Sequence, residues 1–168
     1  MKKILTVFTS VVMAYSAQAQ QSLSEQINEN GVEWILGTWE AEVDGNTMTL
    51  SYKWALKEHV IAQHFKGMNL EGNSVESFSL IAINPTTGEI EQTGYDTRGK
   101  KSIGSWGPRG DMPLLRTTST SQNGEKQSMA VGFRRIDENN LELQIFRVDG
   151  SGSVSDFSEM DIEMKRKK

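Results

Sequence analysis

No cysteine occurs in this chain, which excludes thiol nucleophiles, a disulfide framework and a cysteine for lipid attachment. Histidine is almost as scarce: only His59 and His64 are present, in "EHVIAQHF". Five residues apart on a strand, they point to opposite faces and cannot share a metal without a bulge. No metal site and no cofactor is therefore expected. A G-x-S-x-G elbow is absent, so nothing marks a serine nucleophile. Gly99-Lys100-Lys101-Ser102 is not a phosphate-binding loop, because no strand–helix unit surrounds it. No apolar run approaches the roughly 18 residues that mark a membrane-crossing helix. Basic residues are outnumbered, with 18 Lys and Arg against 22 Asp and Glu. That balance disfavours nucleic acid, whose phosphates would be repelled.

What is present begins with an export pattern. Lys2 and Lys3 precede the apolar stretch "ILTVFTSVVMAYS", and Ala17-Gln18-Ala19 supplies a small-residue cleavage site. The expectation is a signal peptide over residues 1–19 and one mature domain over 20–168, periplasmic or extracellular. A retained N-terminal anchor is the alternative. Loss of Lys2 and Lys3 lowers the basic count from 18 to 16 against 22 acids, a net charge of −6. No stable membrane insertion is expected after cleavage, and the closing "KRKK" reads as a solvated tail. Nothing in the sequence sets an oligomeric state.

From Leu23 to Leu36 the spacing predicts a short helix, capped by Ser22 or Ser24, stopped by Gly37 and broken at Asn30-Gly31. After Gly37 the apolar period becomes two. "TMTLSYKWAL" alternates, with Met48, Leu50, Tyr52, Trp54 and Leu56 on one face. Turn signals recur every ten or so residues, among them Asp44-Gly45, Asn84-Pro85 to Gly88, Asn123-Gly124 and Asp149-Gly150. They delimit about ten strands, near 38–44, 47–56, 59–66, 75–83, 90–97, 101–106, 112–121, 127–136, 141–148 and 157–166. The fold class is all-β. A meander that long leaves two hydrogen-bonding edges unless it closes, so an up-and-down antiparallel barrel is expected. A curved open sheet wrapped around the helix is the alternative.

The helix, then Gly37-Thr38-Trp39 at the head of the first strand, then hairpin-linked strands, resembles the lipocalin-like (calycin) barrels. Leu36-Gly37-Thr38-Trp39, Trp54-Ala55-Leu56 and Gly94-Tyr95-Asp96 are similar to features of secreted bacterial lipocalin-like domains of uncharacterised function. The resemblance implies structural roles for Gly37, Trp39 and Arg166: the tryptophan would plug a closed barrel end, with Arg166 or Lys165 lying across it. A ligand would then sit at the opposite end. Related haem barrels use a late histidine, and no histidine follows His64, which argues against haem.

Candidate ligand contacts follow from parity and composition. Tyr52 and Trp54 share the apolar face of the second strand, where core and pocket coincide in a small barrel. Arg116 continues the parity of Met112 and Leu114, Arg135 that of Met129, Val131 and Phe133, and Arg147 that of Leu141, Leu143 and Ile145. Were those faces interior, the guanidinium groups could fork onto a ligand carboxylate; at strand ends they would instead pair with acids and snorkel to water. The segment "GYDTRGKKSIGSWGPRGDM" is either two glycine-rich hairpins or a rim over the barrel mouth, with Trp106 stacking on a ligand and Arg98 or Arg109 attracting an anion. These features favour an exported barrel binding a small hydrophobic or anionic amphipathic molecule. An isomerase, cyclase or hydrolase using His64 or Tyr95 beside a carboxylate is the rival, and a packed accessory domain without ligand is a third reading.

Overall fold

A computed structural model of the protein describes residues 21–68 and 72–168. Residues 1–19, where a signal peptide is expected, lie outside the described residues. Helix α1 spans Leu23–Glu29, and a 3-10 turn covers Glu33–Ile35. Ten strands follow: β1 (Gly37–Val43), β2 (Asn46–Leu56), β3 (Val60–Met68), β4 (Ser74–Ile83), β5 (Ile90–Asp96), β6 (Lys101–Arg109), β7 (Met112–Thr120), β8 (Lys126–Arg135), β9 (Asn140–Arg147) and β10 (Met160–Arg166). Each pairs antiparallel with its sequence neighbours, and β1 pairs with β10, so the meander closes into a barrel without free edges.

Ser22 forms a capping box with Glu25, satisfying two amides at the start of α1. Gly31 sits at φ +63°, and the chain breaks there before the 3-10 turn. The expected 23–36 helix is therefore two pieces. Leu23 and Ile27 are buried on the barrel side, and Ser24 N–H donates to Glu58 O at 3.0 Å, tethering α1 to the β2–β3 hairpin.

Up-and-down connectivity gives the barrel two distinct ends. Where β1 begins and β10 finishes lie α1 and the β2–β3, β4–β5, β6–β7 and β8–β9 hairpins; this is the entry end. At the far end lie the other hairpins and the long β9–β10 connection.

The interior is built from alternate residues, including Trp39, Ala41, Met48, Leu50, Tyr52, Phe133, Leu141, Leu143, Ile162 and Met164. A second, smaller core lies on the outer wall. There Leu114, Ala130 and Phe146 pack with Met112, Val148 and Val154, because the β9–β10 connection folds back across β7–β9. Arg109 fastens that connection, donating to Ser155 O (2.8 Å) and Asp156 O (3.1 Å), with its guanidinium 4.3 Å above the Phe146 ring.

The closing "KRKK" is not a tail throughout. Lys165 and Arg166 belong to β10, Lys167 N–H donates to Thr38 O, and Lys167 Nζ pairs with Glu40.

Candidate ligand-binding cleft

Gly37, Trp39 and Arg166 form a single corner at the entry end. Trp39 is fully buried, and its Nε1–H donates to Ile35 O at 2.9 Å. Arg166 is its register partner in β10 and stacks 4.1 Å above the indole. The guanidinium donates to Trp34 O (2.8 Å), Leu36 O (2.8 Å) and Glu138 O (3.1 Å). Gly37 has φ +125°, and any Cβ there would collide with Arg166 Nη1. The three residues act together in closing the barrel, and each nitrogen of the indole and guanidinium already donates to a backbone carbonyl.

A cleft of about 530 Å³ opens at the same end, between α1 and the β4–β5 and β6–β7 hairpins. The cleft thus lies at the Trp39 end rather than at the opposite end, where a ligand was expected. The reason is that α1 covers only part of the entry end, leaving the side beneath Gly88–Ile90 and Pro108–Pro113 open. Tyr52, Ile61, Ile81 and Trp106 line it from the barrel, Leu23 and Ile27 from α1, and Glu89, Asp111 and Arg116 supply the charges.

Tyr52 and Trp106 are thus brought together. Their rings meet edge-on at 6.4 Å, and both pack on Phe133, Trp106 in stacked geometry at 5.4 Å. Trp106 Nε1–H donates to Gln92 Oε1 at 3.1 Å. Burial pushes the Tyr52 phenol far above its ordinary pKa, so it stays neutral. Among the described residues no group hydrogen-bonds its hydroxyl.

The other candidates lie elsewhere. Trp54 shares the inward register of Tyr52 and Ile61, but it is 36% exposed beside the β-bulge between Trp54 and Leu56, and it does not line the cleft. His64 faces outward, 2.7 Å from Glu76 Oε1, with Lys66 Nζ at 3.2 Å from the same oxygen. That pairing holds the Glu76 carboxyl below its usual range, His64 contributing most. Tyr95 is also outward and 57% exposed, opposite Phe78 in the register. The catalytic arrangement of His64 or Tyr95 with an interior carboxylate is therefore absent from the barrel interior.

None of the three arginines projects into the barrel interior, and Arg135 and Arg147 take the strand-end alternative. Arg116 projects outward, because Met112 and Leu114, whose parity it continues, belong to the outer core rather than to the barrel interior. It lies across Gly107 at the mouth of the cleft, and no described group pairs with it. Arg135 and Arg147 do continue interior parity, but each stands at a strand end and is exposed. Arg135 Nε–H donates to Asp137 O at 3.4 Å, and Arg147 is paired with Glu159. The glycine-rich segment spans the barrel's length, with the turn at Gly99 at the far end and the turn at Gly110 beside the cleft.

Sequence reasoning missed Gln63, Ser79 and Gln92, three polar residues with 8%, 3% and 8% exposure inside the wall of β3, β4 and β5. Gln63 is the register partner of both Tyr52 and Ser79. Among the described residues no group of three or more His, Asp or Glu is placed to hold a metal ion.

No family model matches the chain, and no curated protein matches it. Among solved structures the chain is similar to a de novo designed fluorescence-activating β-barrel. The identity is 17%, over 82% of this chain and 98% of that one, with a TM-score of 0.44.

Proposed function

We propose that this chain is an exported, lipocalin-like barrel that binds a small apolar or amphipathic molecule in the entry-end cleft without transforming it. The observation that carries the reading is the cleft itself: about 530 Å³, within the range of small-molecule sites, with an aromatic and aliphatic floor. The Gly37–Trp39–Arg166 corner and the helix-then-meander order support the lipocalin-like assignment. The "KKILTVFTSVVMAYSAQA" leader supports export. Anchoring of an anionic head group has less support than an apolar ligand, since Arg135 and Arg147 lie outside the cleft and Arg116 stands only at its mouth. Catalysis has less support again, because Tyr52 is held neutral and His64 is engaged with Glu76 on the outer wall.

Native mass spectrometry of the full chain expressed with its leader and recovered from the exported fraction tests both parts. The expected result is a chain beginning at Gln20 that carries a small molecule, lost on mild activation. A chain retaining residues 1–19 overturns export. Apo protein in repeated preparations, with no uptake of a fluorescent apolar probe, overturns binding.

A further inference from the structure

The strongest unexplained feature of the interior is an acceptor with nothing to accept. Gln63 Oε1 is buried without a hydrogen-bond partner among the described residues. Such a group forfeits its hydration and receives nothing in exchange, so most native interiors avoid the arrangement. Its surroundings indicate what it awaits. Gln63 stands opposite Tyr52 in the register, one inward position along β3 from Ile61. Both Tyr52 and Ile61 line the cleft. Gln63 does not itself line the cleft, but its strand position sets an orphaned carbonyl beside cleft-lining Tyr52, whose hydroxyl no described group hydrogen-bonds. Of the other polar side chains in this wall, Ser79 pairs with Gln63 in the register and Gln92 is already engaged by Trp106. Among the described residues no charged side chain is buried with them. The charges that line the cleft, Glu89, Asp111 and Arg116, come from the β4–β5 hairpin and from β6–β7, at its mouth.

From this juxtaposition we infer that Gln63 and Tyr52 form a polar anchor selecting uncharged ligands that carry a hydroxyl or N–H on an apolar, ring-sized body. The inference rests on the binding reading above and specifies its ligand class. A donor reaching Gln63 Oε1 satisfies the orphan, and the same ligand oxygen can accept from the Tyr52 hydroxyl. An ether of the same shape leaves the acceptor unpaired. A carboxylate fares worse, because it brings a second acceptor and an uncompensated charge into a layer without cations. The aromatic floor of Tyr52 and Trp106 suits a flat body.

Three probes with one bicyclic body separate these cases: 2-naphthol, 2-methoxynaphthalene and 2-naphthoate, titrated by calorimetry into the full mature chain at pH 7. Naphthol is expected to bind about tenfold or more tightly than the ether, the discrimination of one satisfied buried acceptor, and naphthoate more weakly than either. In Gln63→Leu the preference for naphthol over the ether collapses toward unity while the ether still binds. Tyr52→Phe reduces the same preference in a chain whose fold is checked by circular dichroism. Equal binding of naphthol and ether to the wild type overturns the anchor and leaves the cleft reading standing. So does a naphthol preference that survives Gln63→Leu. Failure of all three probes to bind overturns the cleft reading itself.

Discussion

Two places at the entry end of the barrel each combine an aromatic ring with polar groups, and they are finished to different degrees. At the Gly37–Trp39–Arg166 corner every donor nitrogen has a protein partner: the indole N–H finds Ile35 O, and the three guanidinium nitrogens find one backbone carbonyl each, with the ring face below. On the cleft floor the indole N–H of Trp106 is satisfied by Gln92, but Tyr52 and Gln63 each keep a polar atom without a partner among the described residues. A closed network adds rigidity and has no capacity left for a guest. An open one costs stability and reserves capacity. The contrast assigns construction to the corner and recognition to the floor.

The largest effects should come from breaking the corner. Trp39→Ala removes a fully buried indole and is expected to cost about 3–5 kcal/mol, read by denaturant unfolding. Arg166→Ala follows at about 2–3 kcal/mol, because it strands the carbonyls of Trp34, Leu36 and Glu138 as well as losing the ring contact. Arg166→Lys should recover less than half of that loss, since an ammonium cannot reproduce the planar fork over the indole. A lysine variant as stable as wild type would show that charge alone holds the corner.

The corner was readable in advance and the floor was not, for a physical reason. The resemblance to lipocalin-like barrels implied the roles of Gly37, Trp39 and Arg166 or Lys165, and a closed meander sets the first and last strands side by side, where Arg166 meets the indole. Period-two alternation likewise placed the ten strands, and on β2 it correctly turned Met48, Leu50 and Tyr52 inward. Gln63 occupies an inward slot with a polar side chain, so the alternation of β3 conceals it. Parity misled at the arginines in two ways. On β7 both faces are covered, because the β9–β10 connection packs on the outer wall, so Leu114 and Leu115 are both buried and the alternation loses its meaning. At Arg135 and Arg147 parity is kept, but the strands have run past the packed interior and the side chains turn to solvent. Cleft position was hidden for a third reason: the coverage left by α1 depends on the break at Asn30-Gly31, whose direction no spacing rule supplies.

Substitutions on the floor should move stability little or in the opposite direction. Gln63→Leu replaces an unsatisfied buried amide with an apolar group of similar volume. The apo chain is expected within about 1 kcal/mol of wild type or above it, by the same unfolding measurement. A loss as large as that of Arg166→Ala would mean that Gln63 belongs to a structural network like the corner's, and the comparison would collapse.

The smallest effect tests how the corner is supported from outside. Asp137 opens the β8–β9 hairpin, and its carboxylate accepts from Asn139 N–H (2.7 Å), Asn140 N–H (2.9 Å) and the Asn140 side chain. That hairpin presents Glu138 O to the Arg166 guanidinium and Asn139 O to the Arg166 amide. The Asn139 backbone N–H, first, and the Asn140 side chain, next, hold the Asp137 carboxyl below its usual range. A folded-state pKa depressed in this way contributes stability that is present above the unfolded aspartate value, about 4, and is lost as pH falls through the lower folded value. The midpoint difference between wild type and Asp137→Ala should therefore hold steady from pH 8 down to about 5 and narrow below about 4. Because the hairpin carries the carbonyl that accepts from the Arg166 amide, that amide should also exchange faster in Asp137→Ala at neutral pH, while amides of β3 beside Gln63 stay unchanged. A midpoint difference independent of pH would place the residue's role in hairpin shape rather than in its charge. Faster exchange spreading to β3 would show that corner and floor unfold as one unit.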